Sequence, residues 1–286
     1  MSKVETTRNA RLASIVIVFY DYALSLDFQI DLIWRSEWHF LKVVFLINRY
    51  YVLAAGILLT NALSVFFSSN LSSKVGLNYV LWEAWTGLIG CVLAEIILQM
   101  RISALYLRNK RIVYPMVASF LASSTASATI MGIYLRGIDA FPIDIPGGQI
   151  CYSNHSPHLY AFWIPILSFE CLLCALALAH GYQDYRDSLR GFGSRLIGAL
   201  DTPKLSEILV RDSITYFFSI GAVYMACLIV WIVDQNALIE APAGFSIAMS
   251  SVLVCRLILN LREANANQAF KYSLYIPTSN GIVVSD

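Results

Sequence analysis

The feature that most restricts this chain is the recurrence of apolar stretches long enough to cross a bilayer. A spanning helix needs about 20 predominantly apolar residues. Six segments meet that length: 43–67, 79–100, 112–135, 158–180, 213–233 and 243–261. Those at 112–135 and 213–233 hold no charged residue. Residues 12–26 form a shorter seventh segment, interrupted by Asp21. Lys3, Arg8 and Arg11 precede it, as in a signal peptide, but no A-x-A cleavage site follows, so it reads as a first span. Hydrophobic residues make up 58% of the chain and charged ones 14%. Soluble domains average about 45–50% and about 25%, so in water this chain would expose apolar surface it has no polar residues to cover. The expectation is an all-α polytopic transmembrane bundle of seven spans, forming one domain over 1–262 with a short tail at 263–286.

Orientation follows from the basic loops, because Lys and Arg concentrate on the cytosolic side. Seven spans place the N-terminus, 68–78, 136–157 and 234–242 on one side, which carries Lys3, Arg8, Arg11, Lys74 and Arg136. The other fifteen of the twenty basic residues lie on the opposite side or in span ends facing it. That puts the N-terminus outside and the C-terminal tail in the cytosol, although the three basic residues before the first span oppose this locally. The two N-x-[ST] sequons, at Asn70 and Asn154, fall on the outer side and are candidate glycosylation acceptors. Segment 27–41 mixes Phe28, Ile30, Ile33, Trp34 and Trp38 with Asp27, Asp31, Arg35 and Glu37, which suits a helix lying in the cytosolic interface. Loop 136–157 carries Pro142, Pro146, Gly147 and Gly148 and reads as irregular.

Signatures of enzymes and cofactor sites are absent: there is no G-x-x-x-x-G-K-[ST], H-E-x-x-H or G-x-S-x-G. No catalytic residue, metal or cofactor is expected. The net charge of +1 offers no reason to expect a nucleic-acid partner; the lipid bilayer is the expected partner, with a small-molecule ligand as an open class. His39, His155, His158 and His180 are scattered. Cys171 and Cys174 read C-x-x-C inside an apolar run, where packing is the expected role. The ladders Ala118-Ala122-Ala126 and Ser119-Ser123-Ser127 allow close helix approach, and are expected to serve packing within the bundle.

Intramembrane charge is the sharpest signal, since each such residue costs at least about 2.5 kcal/mol at mid-bilayer and needs a partner or a wet cavity. Asp21, Arg49, Glu95 and Arg256 all fall within about two turns of the cytosolic ends of their spans. Asp212 opens the sixth span on that side. Together they are expected to form a charge network, with Asp21–Arg49 as one pair, that sets helix packing. Glu170 sits near the middle of its span with no basic residue at its depth. Two readings stand for it: a neutral, hydrogen-bonded packing residue, or a proton or ligand site.

Several segments carry a resemblance. Tyr20-Asp21-Tyr22-Ala23-Leu24-Ser25-Leu26, Leu32-Ile33-Trp34-Arg35 and Asn48-Arg49-Tyr50 resemble the N-terminal signature of a large fungal family. So do Arg101-Ile102-Ser103-Ala104-Leu105-Tyr106 with Asn109-Lys110-Arg111, Arg211-Asp212-Ser213 and Arg256-Leu257-Ile258-Leu259-Asn260-Leu261-Arg262. That family comprises seven-helix membrane proteins of basidiomycetes, catalogued as a domain of unknown function. The resemblance implies seven spans and brings no catalytic residues. Many relatives carry a cysteine shortly before or at the start of the third span that could pair with one in the following outer loop; here residues 68–90 hold none and Cys91 lies halfway down its helix, so no disulfide to Cys151 is expected.

Two functional classes fit this reading. One is a receptor-like or sensory protein, suggested by seven spans, an outer N-terminus and the basic cytosolic loop 181–212. The other is a transporter of a proton or small solute, suggested by the intramembrane carboxylates. Plasma membrane and endomembrane are not distinguished. The orientation is tested with epitope tags in intact cells: tags in 181–212 and at the C-terminus should be protected and one in 136–157 accessible. An accessible C-terminal tag would reverse the topology.

Overall fold

The computed structural model describes residues 2–66, 73–137, 140–145, 148–153, 158–191, 205–233 and 240–275. Seven helices among them are long and apolar enough to cross a membrane. They are α1 (Ser2–Gln29), α2 (Phe40–Phe66), α3 (Ser73–Leu105), α4 (Lys110–Leu135), α5 (Trp163–Gly191), α6 (Leu205–Val233) and α7 (Glu240–Tyr275). In hydrocarbon no water satisfies the backbone, so an apolar run of this length closes its own hydrogen bonds as a helix. The chain is an integral membrane protein with an all-α transmembrane bundle. The weak first segment is part of a helix that runs unbroken through Asp21, and α7 continues to Tyr275, past the expected start of the tail.

Consecutive helices pack side by side, and α7 closes on α1. The central elements are α3, which touches α2, α4, α5 and α7, and α7, which touches α1, α2, α3 and α6. Half or more of each of these two spans is buried, whereas only 17% of the α1 span is. The aromatic heart lies where α5 meets α6: Trp163 packs on Tyr224 with ring centroids 5.5 Å apart and on Trp231 at 5.4 Å, and Phe162 adds an edge contact to Trp163 at 5.1 Å. Such offset and edge-on arrangements are the favoured geometries for aromatic pairs.

Three local expectations change. Segment 27–41 is not a separate interfacial helix. Instead α1 continues into a π-helical turn, Ile30–Trp34, and α2 starts at Phe40. The Lys42 ammonium donates to the Trp34 and Ser36 carbonyls at 3.0 and 2.7 Å, satisfying acceptors that the ending helix leaves open. Loop 136–157 is not wholly irregular either, for β1 (Ala140–Ile145) pairs antiparallel with β2 (Gly148–Ser153). The register sets Phe141 opposite Tyr152 and Ile143 opposite Ile150, and the alternation of Phe141, Ile143 and Ile145 is a period-two signal that the prolines and glycines obscured. Finally, the two ladders of α4 part company: Ser123 and Ser127 are buried, while Ala118 and Ala122 are exposed.

The turn between α3 and α4 is tight. Leu107 and Arg108 hold φ of 49° and 57°, in the left-handed region that non-glycine residues seldom adopt. The Arg108 amide donates back to the Ser103 carbonyl at 2.8 Å, and the Asn109 side chain accepts from the Arg111 amide at 3.1 Å, capping α4.

Candidate functional site

Asp21 is 2% exposed, within a helix that otherwise faces largely outward. Its carboxylate is shared by two guanidinium groups from different helices. Arg49 of α2 donates to Oδ2 at 2.8 Å, and Arg256 of α7 donates to Oδ1 at 2.7 Å. Arg49 also donates to the Asp21 carbonyl at 3.3 Å and to the Ser25 hydroxyl, which itself donates to the Asp21 carbonyl at 2.5 Å. The Arg49 guanidinium lies over the Tyr22 ring at 5.2 Å from its centroid. The acid, both its cations and one turn of α1 backbone thus form one charge-assisted unit, and each member removes part of the cost of burying the others.

Neighbouring bonds extend this layer across the bundle. Asn48 of α2 donates to Ser251 at 3.3 Å and to the Cys255 thiol at 3.7 Å, both on α7. Arg101 of α3 donates to Ser213 of α6 at 2.6 Å and to the Leu257 carbonyl of α7 at 3.4 Å. Arg262 of α7 donates to the Leu32 carbonyl in the π-helical turn at 2.7 Å. Every stretch that carried the resemblance therefore reaches the same end of the bundle or the turn beside it.

Of the residues expected in the network, Asp21, Arg49 and Arg256 are brought together. Glu95 is not with them. It is 1% exposed on α3 and within electrostatic reach of Glu170 on α5. Depth along a helix fixes a residue's level but not its direction, and Glu95 is directed at α5 rather than α1. The side chain of Asp212 lies outside the described residues, as do Asn70, Asn154 and the side chain of Cys151. Cys171 and Cys174 are free thiols, the first exposed on the outside of the bundle.

A second ion pair escaped the sequence reading. Arg11 of α1 and Glu83 of α3 meet at 2.7 Å with side chains 8% and 13% exposed, and the Arg11 guanidinium lies over Tyr79 at 5.6 Å. Arg11 stands among the basic residues ahead of the first apolar segment, and Glu83 sits near the start of its own span; opposite charges at matching levels are the available signal. Arg11 and Asp21 are ten residues apart, so the two charged layers stand about 15 Å from each other along α1.

Between them lies a half-open cavity of about 50 Å³. Its polar lining comes from Ser14 of α1 and Glu83 and Thr86 of α3; Val52 and Gly56 of α2 and Ile247 of α7 are among its apolar walls. A single water needs about 10–15 Å³ on this measure, so the space exceeds one water several-fold. Glu170 does not line it.

Residues 10–54 match the model of a family of unknown function (DUF6533). The match covers α1 from its third turn, the π-helical turn and the first half of α2. It takes in Asp21, Ser25, Asn48 and Arg49. Among curated proteins none matches the chain.

The charge cluster makes a quantitative expectation. Arg49→Leu leaves the buried acid with only the half-exposed Arg256 and should lower thermal stability in detergent sharply, whereas Arg256→Leu should cost less. Combining Asp21→Asn with Arg49→Leu should recover about 1 kcal/mol or more of coupling in a double-mutant cycle. Additive losses would show that the two side chains do not interact.

Proposed function

We propose that this integral membrane protein is receptor-like: a small molecule enters the cavity between α1, α2, α3 and α7, and the response is a shift of α1 against its neighbours. The observation that carries the reading is the placement of the cavity on α1 between two ion-pair layers, Arg11–Glu83 at one level and Asp21–Arg49–Arg256 at the other. With the N-terminus outside, as the basic loops suggest, the cavity is on the outer half and the Asp21 layer toward the cytosol. The membrane domain is then 1–262, with 263–286 as a cytosolic tail.

The lining supports a ligand class. Most of the wall is apolar, with Ser14, Thr86 and the Glu83 carboxylate as the polar groups. A short alkyl body bearing one amine or hydroxyl fits that pattern, since a few placed polar groups orient a ligand held mainly by apolar contact. A guest competing for Glu83 loosens Arg11, and with it one of the two ion-pair layers that position α1. Preference of the guest for one of two α1 positions is what shifts the population.

A second reading, transport of a proton or small solute, is favoured by one observation: Glu170 is 3% exposed and neither carboxylate oxygen has a hydrogen-bond partner among the described residues. That side chain sits away from the cavity and supports a different route through the bundle.

The test uses purified protein and a panel of butyl to octyl amines with the matching alcohols. A Cβ on Gly56 would meet only Ile15, at 4.0 Å, so Gly56→Leu should project into the cavity without disturbing the helix contacts. Panel members should raise the unfolding temperature of the wild type and lose that effect in Gly56→Leu, whose own unfolding temperature stays within about 4 °C. Ligand stabilisation that survives Gly56→Leu would overturn the cavity assignment. Proton or amine flux in proteoliposomes would favour transport.

A further inference from the structure

The outward face of α7 presents a stripe that the cavity beside α1 does not use. Phe245, Met249, Leu253, Arg256, Asn260 and Glu263 recur every three or four residues, so they share one side of the helix. The first three are partly exposed and the last three exposed, whereas most residues between them are buried. Helix α7 touches both α1 and α6, and those two make no substantial contact with each other among the described residues. The stripe is therefore the floor of a groove with α1 and α6 as its walls. Its polar members reach one wall each. Arg256 Nε donates to Asp21 of α1 at 2.7 Å, and Asn260 Nδ2 donates to the Tyr216 hydroxyl of α6 at 3.1 Å.

Charge is unbalanced at this point. Two guanidinium groups share the single Asp21 carboxylate, which leaves one positive charge in excess, and no second carboxylate pairs with either arginine among the described residues. Glu263 is on the same stripe but seven residues beyond Arg256, and the two form no ion pair. The excess belongs to the outer partner, since the Arg49 side chain is 4% exposed and that of Arg256 50%. Only Nε of Arg256 is engaged among the described residues, so the four N–H groups on its two Nη atoms are available. Arg256 stands about 10 Å from the end of the Gly244–Glu263 span. An uncompensated cation at that depth is costly, and local thinning of the bilayer brings headgroups and water to it. The guanidinium fork matches a phosphate in two-point geometry. Deeper in the bilayer the stripe turns apolar, as an acyl chain requires. A zwitterionic lipid carries its own cation beside the phosphate; a lipid of net negative charge makes the whole cluster neutral.

We propose that the groove on α7 between α1 and α6 binds one anionic phospholipid, its phosphate on the Nη donors of Arg256 and the remaining N–H of Asn260, and an acyl chain along Leu253, Met249 and Phe245. None of these residues lines the cavity beside α1, so this site and the receptor-like reading fail independently.

The experiment follows thermal unfolding of the full chain in neutral detergent micelles at constant ionic strength. The micelles are doped with increasing phosphatidylglycerol, or with phosphatidylcholine of the same acyl chains. A ligand that binds only the folded state raises stability with its concentration. Phosphatidylglycerol should raise the unfolding temperature of the wild type by about 3 °C or more above phosphatidylcholine. Arg256→Gln starts from a lower unfolding temperature, because Asp21 loses a partner, so the readout is the difference between the two lipids, which should vanish. Asn260→Ala leaves the Asp21 pairs in place and should require several-fold more phosphatidylglycerol. Gly56→Leu should respond to the lipids as wild type does. A wild-type protein that does not distinguish the two lipids overturns the proposal even if Arg256→Gln does not fold. So does a lipid difference that Arg256→Gln leaves intact. Inorganic phosphate matching the effect of phosphatidylglycerol would assign the site to a free anion instead of a lipid. Stability that rises with protein concentration and not with headgroup charge would give the groove to a second copy of the chain.

Discussion

A buried acid where α1 meets α2 and α7 has to be paired, and in this bundle that acid is Asp21. Lipid is as apolar as the side chains it surrounds, so burying a leucine between two spans yields little of the driving force that it would in water. What remains is packing and polar bonding; 17% of the α1 span is buried, and its main packing is against α7. Its attachment to α2, which it otherwise touches little, therefore depends heavily on the Asp21 carboxylate and the Arg49 guanidinium. Removing either side of such an arrangement costs more than the pair itself contributes, because the survivor stays in low dielectric without a partner.

The rest of the polar layer reads as a continuation of that constraint. Arg101 to Ser213, Asn48 to Ser251 and Arg262 to Leu32 each tie a helix end to a neighbour at the same end of the bundle. The opposite side of the molecule is held differently, by the tight aromatic packing of Phe162, Trp163, Tyr224 and Trp231. This division leaves α1 as a helix located by specific bonds and α5 and α6 as helices located by shape. The cavity beside α1 lies in the half that specific bonds locate.

Much of the architecture was legible because length and hydropathy alone identify a spanning helix. Even the broken first segment read as a span, since no cleavage site follows it and the resemblance implies seven; Arg49 is what makes Asp21 tolerable there. Direction around the helix was not legible. Glu95 shares a level with Asp21 yet belongs with Glu170, since periodicity places a residue on a face without naming the neighbour that the face meets. Arg11 and Glu83 were hidden by their positions near span ends, where charge is ordinary. The hairpin at Ala140–Ser153 was masked by its turn residues, and the cavity could not be read at all, because empty space is a property of four helices together.

The most direct test of the central claim is the distance between spin labels on α1 and α2, at the exposed positions Leu24 and Ile47, compared with labels on α5 and α6 at Leu178 and Phe218. It requires a background with the six cysteines replaced. If Asp21 is what holds α1, Asp21→Asn should broaden the α1–α2 distribution and leave the α5–α6 distribution unchanged. An α1–α2 distribution that stays as narrow as in the parent would contradict the account.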